Sequence, residues 1–201
     1  MQYSELVTDD NAFSALRVEC SNVFDTNQRL PRQVFRQNFT KYYVFEHGQI
    51  LREHFSKFLK DVACVFEDRA VNYMTLDPDP VDYYRRNCGF FGLASFELST
   101  LTSNYIKVMY RDGNADSFRA RGGDIGVLWG SSQRWGIFCD RASWELCLMG
   151  SSVKLDESIM DTVGCMDTAK LTAYLETLYQ HKHGVAREFL DRLEESYPAF
   201  A

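Results

Sequence analysis

The sequence predicts an α+β fold with a mainly antiparallel sheet of about five strands, helices packed on it, and helical N- and C-terminal parts. One observation is the run 125–150, IGVLWGSSQRWGIFCDRASWELCLMG, which has the pattern of three strands joined by turns at 130–134 and 140–143. Turns this short require antiparallel pairing. The other is that segments near both ends carry apolar residues at helical spacing, without regular alternation of helices and strands. That order argues against a parallel doubly wound sheet.

Three helices are predicted in the first third of the chain. Asp9 or Asp10 caps the first, and its apolar positions are Phe13, Leu16, Cys20, Val23 and Phe24. The second follows Pro31 and ends at Gly48, with apolar positions Phe35, Phe39, Tyr42 and Tyr43. The third has the clearest stripe, formed by Leu51, Phe55, Phe58, Leu59, Val62 and Phe66.

The middle of the chain is predicted to hold two strands and two helices. A strand over 71–76 stops at the sequence DPDP, because proline cannot donate to a ladder. Pro80 suits the first position of a short helix capped by Asp79. A strand over 90–98 follows, then a helix beginning at Ser99 or Ser103, and a polar loop over 111–123.

The C-terminal part is predicted to be helical again. Asp156 or Asp167 caps a helix whose stripe is Leu171, Tyr174, Leu175 and Leu178. Gly184 separates it from a last helix with Val185, Phe189, Leu190 and Leu193. Since no internal repeat or low-complexity linker interrupts the chain, we expect residues 1–201 to form a single α+β domain.

Charge and cysteine usage narrow the classes of function. The net charge of −6 argues against nonspecific binding of nucleic acid or of an anionic membrane, and it suits a basic protein partner. Six scattered cysteines form no CxxC motif, and the start of the chain has no secretory signal pattern. A reducing cytoplasm is the expected location.

The pairing of the tryptophan strands depends on the length of the first turn. If residues 130–134 form the loop, Trp129 lies opposite Trp135, and a second turn centred on 141–142 places Cys139 opposite Trp144. All three tryptophans then share one face with Val127, Ile137, Cys139, Leu146 and Leu148. A slip of one residue would move Trp129 to the other face.

Possible reactive groups each have a plainer structural explanation. Asp77 and Asp79 resemble a metal or acid/base pair, but flanking prolines favour a strand-ending turn and a helix cap. His181 and His183 are two residues apart, so in a helix they point to different sides and are too few for zinc. No serine lies in a GxSxG motif. The sequence therefore predicts no catalytic residue, metal site or cofactor.

The candidate partner-binding residues are Trp129, Arg134, Trp135, Asp140, Arg141 and Trp144. Trp and Arg dominate binding hot spots, and an Asp-Arg pair exposed at a turn can recognise a charged partner. The alternative is that the tryptophans are core residues beneath a helix and that Asp140 simply forms the turn. This packing interpretation is the favoured one.

The pattern WGIFCDRASWELCLM, with LDPDPVDYY upstream, resembles uncharacterised bacterial proteins that include small immunity proteins of toxin systems. The resemblance covers about a quarter of the chain and carries over no functional residue. It implies an acidic cytoplasmic protein that binds and neutralises a toxin without catalysis.

The first hypothesis is therefore a non-enzymatic protein-binding protein, of the immunity type, with a basic partner. The alternative is an enzyme, a hydrolase or transferase, whose site is assembled from residues distant in sequence; converging His, Cys or carboxylate groups in a polar pocket would support it. A third hypothesis is a structural subunit of a larger assembly, which an exposed apolar patch would mark.

Overall fold

A computed structural model of the chain describes residues 3–110, 118, 124–180 and 184–198. Its centre is a six-stranded, fully antiparallel sheet in the order β1-β6-β5-β4-β2-β3. The strands are β1 Lys41–Glu46, β2 Ala70–Asp77, β3 Leu93–Glu97, β4 Ile125–Gly130, β5 Trp135–Asp140 and β6 Leu146–Ser151. The predicted α+β class is confirmed, with one strand more than expected.

Seven α-helices lie within the described ranges. They are α1 Asp10–Val23, α2 Glu53–Val65, α3 Arg86–Cys88, α4 Leu101–Tyr110, α5 Glu157–Asp161, α6 Thr168–Leu178 and α7 Val185–Ser196. A 3-10 helix, His47–Leu51, precedes α2, and a π-helical segment, Pro80–Arg85, leads into α3. None of the described helices is both long and apolar enough to cross a membrane.

Several helix starts are set by the aspartates that the sequence indicated. Asp9 accepts a hydrogen bond from Ala12 N at the start of α1, and Asp79 accepts from Val81 N and Asp82 N. Both of the alternative C-terminal caps are used, because Asp156 begins α5 and Asp167 begins α6. Each carboxylate satisfies backbone N–H groups that have no partner within the helix.

The helix predicted after Pro31 is wrong. Lys41–Glu46 is strand β1, which pairs antiparallel with β6 at one edge of the sheet. Phe35, Phe39 and Tyr42 still lie together, because they pack against one another from non-helical backbone and from β1. The spacing of these residues comes from a shared aromatic cluster. The same spacing is found on one face of a helix, so periodicity alone does not distinguish the two.

Helices cover both faces of the sheet, so the molecule has three layers. We call one side the α2–α4 face, where α2, α4 and α5 pack on sheet residues Leu128, Trp135, Ile137, Cys139, Cys147 and Met149. We call the other the α1–α7 face, where α1, α6 and α7 pack on Val127, Trp129, Phe138, Leu146 and Leu148. Every residue of β4, β5 and β6 is buried, as expected for strands covered on both sides.

Both edges of the sheet are partly covered. Residues 5–7 run beside β3, with Val7 N donating to Leu93 O at 3.0 Å and Ser95 N donating to Glu5 O at 2.9 Å. At the other edge, Met166 N donates to Val44 O of β1 at 2.8 Å. These segments occupy backbone groups that would otherwise be open to pairing with another chain.

Candidate functional site

The six candidate partner-binding residues do not form one surface. Arg134 and Trp135 lie at the start of β5, whereas Asp140, Arg141 and Trp144 lie at or just beyond its end. Five residue steps along an antiparallel strand span about 17 Å. The candidate residues therefore divide between opposite ends of the sheet, with Trp129 on β4 beside the first group.

The prediction that the tryptophans share one face is wrong. The loop between β4 and β5 has four residues, 131–134, so Trp129 pairs with Gly136 and Ile137 pairs with Leu128. Trp129 consequently packs on the α1–α7 face and Trp135 on the α2–α4 face. The slip of one residue moves a whole strand's side chains to the opposite face.

The second turn, by contrast, is longer than expected. It spans 141–145, so Cys139 lies opposite Cys147 and Asp140 opposite Leu146, while Trp144 is part of the turn. The predicted pairing of Cys139 with Trp144 is wrong.

Trp129, Trp135 and Asp140 are interior residues, each with no exposed area. The indole of Trp135 donates to Asp68 Oδ2 at 2.7 Å, and that of Trp129 donates to Glu19 Oε2 at 3.4 Å. These indoles are held by partners inside the fold, as buried tryptophan N–H groups usually are. They match the packing interpretation, and a partner would reach them only if the sheet opened.

Arg134 is exposed at the β4–β5 turn. Its guanidinium carbon lies 5.2 Å from the ring centroid of Phe66, which follows α2. This geometry is a cation–π contact, so the side chain is partly engaged with its own fold.

The β5–β6 turn, residues 141–145, is exposed and yet firmly held. On one side, the carbonyl of Asp124 accepts from Arg141 N at 2.9 Å and from Ala142 N at 3.2 Å. Asp140 Oδ1 accepts from Ser143 N at 2.8 Å, which fixes the start of the turn. The sequence feature that indicates this bond is an aspartate at the start of a turn, because such a side chain commonly accepts a hydrogen bond from a backbone N–H a few residues later.

Two tyrosines near the C-terminal end of α6 hold the other side of the turn. Tyr179 Oη donates to the carbonyl of Ser143, and Tyr174 Oη donates to the carbonyl of Glu145 at 3.2 Å. The sequence places Tyr174 in an apolar stripe and predicts no role for Tyr179. Helical spacing carries no information about which carbonyl a hydroxyl reaches.

Trp144 anchors the turn to the layer of helices. It is half-buried, with its ring centroid 4.0 Å from that of Phe189 in α7 and 5.4 Å from that of Tyr179. Its indole Nε1 donates to Leu30 O at 3.2 Å. The remaining turn residues Arg141, Ala142, Ser143 and Glu145 are exposed.

Carboxylates surround the turn. Glu46, Asp124 and Glu145 are all at least partly exposed, and burial followed by the charges of Glu46 and Glu145 raises the pKa of Tyr174 to about 12. Beneath the turn, burial raises the pKa of Asp140, an effect that its hydrogen bonds from backbone N–H groups and the Arg29 guanidinium oppose. The turn that carries Arg141 therefore has acidic residues among its neighbours.

His47 lies at the same end of the sheet, although its sequence context, outside any HExxH motif, predicts no role for it. Its backbone N–H donates to Glu145 O at 2.8 Å, and the residue is 5% exposed. Burial, and then the charge of Arg141, lowers the pKa of His47 to about 4. At neutral pH the ring is thus an uncharged support behind the turn.

A cavity of about 490 Å³ lies between β1, α5 and the start of α6. Its lining includes Tyr43, Leu155, Met160, Cys165, Met166 and Lys170. The size suits a small molecule, but burial raises the pKa of the Cys165 thiol, whereas a catalytic cysteine needs a lowered one. Among the described residues the lining has no histidine, and the acidic groups beside Cys165 are Asp161 and Asp167, whose charges also raise the pKa of that thiol. The cavity thus brings a cysteine and carboxylates together, but their charges oppose activation of the cysteine as a nucleophile.

The candidate metal sites find no support in the described ranges. Asp79 is occupied as the cap of the π-helical segment, and no three His, Cys, Asp or Glu side chains there converge to hold an ion. His181 and His183 lie outside the described residues, as does almost all of the predicted loop 111–123.

Comparison with known proteins identifies no relative of this chain. No protein-family model, no curated protein and no solved structure matches this chain.

Proposed function

We propose that this chain is a non-enzymatic protein-binding protein of the toxin-neutralising immunity type, acting in the bacterial cytoplasm, and that it docks a basic protein partner through the β5–β6 turn. The alternative, a hydrolase or transferase, has weaker support from the cavity, because the pKa of Cys165 is raised and the charges of Asp161 and Asp167 beside it favour the neutral thiol.

The observation that carries the proposal is the preorganisation of an exposed turn. The Asp124 carbonyl, Tyr174 and Tyr179 fix residues 141–145 from both sides. A surface that is already ordered loses little conformational entropy when it binds, so more of the contact energy appears as affinity. Arg141 and the half-buried Trp144 are of the residue types that dominate binding energy.

The charge around the turn supports a basic partner. Glu145 lies in the turn, the Asp124 carbonyl accepts from Arg141 N, and Glu46 pairs with Leu146, which follows the turn. The whole chain carries a net charge of −6. Complementary charge of this kind steers association and makes the on-rate depend on salt. Arg141 would then pair with a carboxylate within an otherwise basic partner surface.

Charge-reversal variants test this docking surface. The partner is first captured from the native host by crosslinking, then purified and titrated against the wild-type chain and Glu145→Lys. We expect Glu145→Lys to weaken binding by roughly tenfold at low salt, with a smaller loss at high salt. Calorimetric titration at two salt concentrations measures the loss of affinity under each condition.

The chain contains a closely matched control in Glu67. Glu67 and Glu145 are both exposed, with φ values of 57° and 52°, but Glu67 lies at the opposite end of the sheet. Glu67→Lys makes the same charge change on the same backbone conformation, and we expect it to leave affinity unchanged. Equal losses for the two variants, an acidic partner, or a chain that stays alone at native abundance would each overturn the proposal.

A further inference from the structure

Two of the six cysteines face each other across the β5–β6 pair. Cys139 and Cys147 are direct partners in the antiparallel register. Both belong to the α2–α4 face, and their exposed fractions are 1% and 0%. Seven residues separate them, and these include the whole of the turn at 141–145.

The hydrogen-bond pattern identifies the type of pair. Ser152 N donates to Arg134 O at 3.0 Å, so residue 134 and residue 152 form a hydrogen-bonded pair. Such pairs alternate with non-hydrogen-bonded pairs along the ladder. Since 139 is an odd number of residues from 134, Cys139 and Cys147 form a non-hydrogen-bonded pair.

That pair type brings the two side chains close together. Opposed Cα atoms in non-hydrogen-bonded pairs lie about 4.5 Å apart, inside the range of roughly 4.4–6.8 Å that disulfides span. Consistent with this proximity, a contact between the two thiols adds to burial in raising the pKa of Cys147.

We propose that Cys139 and Cys147 form a thiol–disulfide modification site that takes a low-molecular-weight disulfide such as oxidised glutathione. The thiolate of one cysteine attacks the glutathione disulfide, which forms a mixed disulfide and releases one glutathione thiolate. The second cysteine then attacks the protein-bound sulfur, forms the Cys139–Cys147 bond and releases the other glutathione thiolate. The two protein thiol protons end on two glutathione molecules, and two electrons pass from the protein to the oxidant.

Oxidation would close a covalent link across the base of the β5–β6 turn. This disulfide restrains the hairpin that carries residues 141–145. Any effect of the disulfide on partner docking rests on the proposed function, whereas formation of the disulfide does not. Burial of both sulfur atoms makes the reaction slow, because the thiolate is the attacking species and the hairpin must open for the oxidant to enter.

The experiment uses the isolated full chain in glutathione buffers from fully reduced to fully oxidised. Acid quenching, alkylation and peptide mass spectrometry then locate every disulfide. We expect the exposed Cys64 to appear as a mixed disulfide and Cys139 to appear linked to Cys147. Hydrogen exchange of β5 and β6 amides, measured in parallel, sets the incubation time needed for opening.

Two variants complete the test. Cys147→Ala should abolish the link, whereas Cys20→Ala, at an equally buried cysteine in α1 on the other face, should leave it unchanged. The proposal would be overturned if Cys139 and Cys147 stay reduced after the amide hydrogens of β5 and β6 have exchanged. It would also be overturned if the two cysteines carry only glutathione. Because no partner is present, that result would leave the proposed docking function standing.

Discussion

The buried carboxylate of Asp68 is joined to the indole of Trp135, whose Nε1 donates to Asp68 Oδ2 at 2.7 Å across 67 residues of sequence. The same carboxylate accepts from Ser132 N at 2.5 Å and from Ser131 Oγ at 3.3 Å through Oδ1. Asp68 precedes β2, and the serines form the β4–β5 turn. One carboxylate thus fixes the end of the sheet opposite the proposed docking turn.

Trp135→Phe should lower the free energy of unfolding because it removes a donor from a buried carboxylate. Loss of such a partner costs about 1–3 kcal/mol beyond the change in packing. Trp129→Phe is the matched control, since Trp129 is equally buried but its bond to Glu19 is longer, at 3.4 Å. Urea denaturation of both variants measures the difference, and equal losses would contradict a special role for Asp68.

Gly130→Ala should destabilise the fold at the same place. A Cβ on Gly130 would overlap the carboxylate of Asp68 and lie against Trp135 Nε1. Overpacking of this kind costs typically about 1–3 kcal/mol. At Gly48 a Cβ would have no atom within 4 Å, so Gly48→Ala should leave the urea midpoint unchanged or raise it; a loss equal to that of Gly130→Ala would contradict the steric argument.

The sequence predicts elements of this fold better than it predicts their pairing. The predicted alternation of side chains between the two faces of β4, β5 and β6 is correct, and aspartates cap helices where the sequence indicated. The register is wrong because all three strands are apolar on both faces. A strand without a polar face contains no signal for which side chains point inward, so a small error in turn length goes unnoticed.

The candidate site was only partly predictable for a related reason. Arg141 and Trp144 were identified from residue type and from an aspartate at a turn. The groups that hold the turn, Tyr174, Tyr179 and the Asp124 carbonyl, come from α6 and from the start of β4. Such contacts depend on how helices are placed over the sheet, which local patterns do not specify.

Tyr179→Phe should loosen the β5–β6 turn specifically. Removing the hydroxyl that donates to Ser143 O costs about 1 kcal/mol, which corresponds to roughly fivefold faster local opening. Hydrogen exchange should quicken at 141–145 and stay unchanged at 131–134. Tyr43→Phe, which removes a hydroxyl that accepts from Leu155 N at 2.9 Å near the β1 edge, is the control. Faster exchange in both turns for either variant would contradict the assignment.

His47 should make stability fall as the pH drops below about 6.5. Burial holds the pKa of folded His47 at about 4, against an ordinary value of 6.5. Between these values the unfolded chain binds a proton that the folded chain does not, so the free energy of unfolding decreases with falling pH, by up to about 3 kcal/mol. Above pH 6.5 this contribution is constant.

Asp140 acts in the opposite sense, so the test must isolate His47. Burial raises the pKa of Asp140, and the folded chain therefore keeps that proton to a higher pH than the unfolded chain, which adds stability as the pH falls. Comparing His47→Phe with wild type removes only the histidine contribution, and His54→Phe controls for loss of an exposed imidazole. Urea denaturation from pH 7 down to about 4 should show a shallower decline for His47→Phe than for wild type and for His54→Phe. Parallel curves for all three proteins would show that burial does not hold His47 neutral.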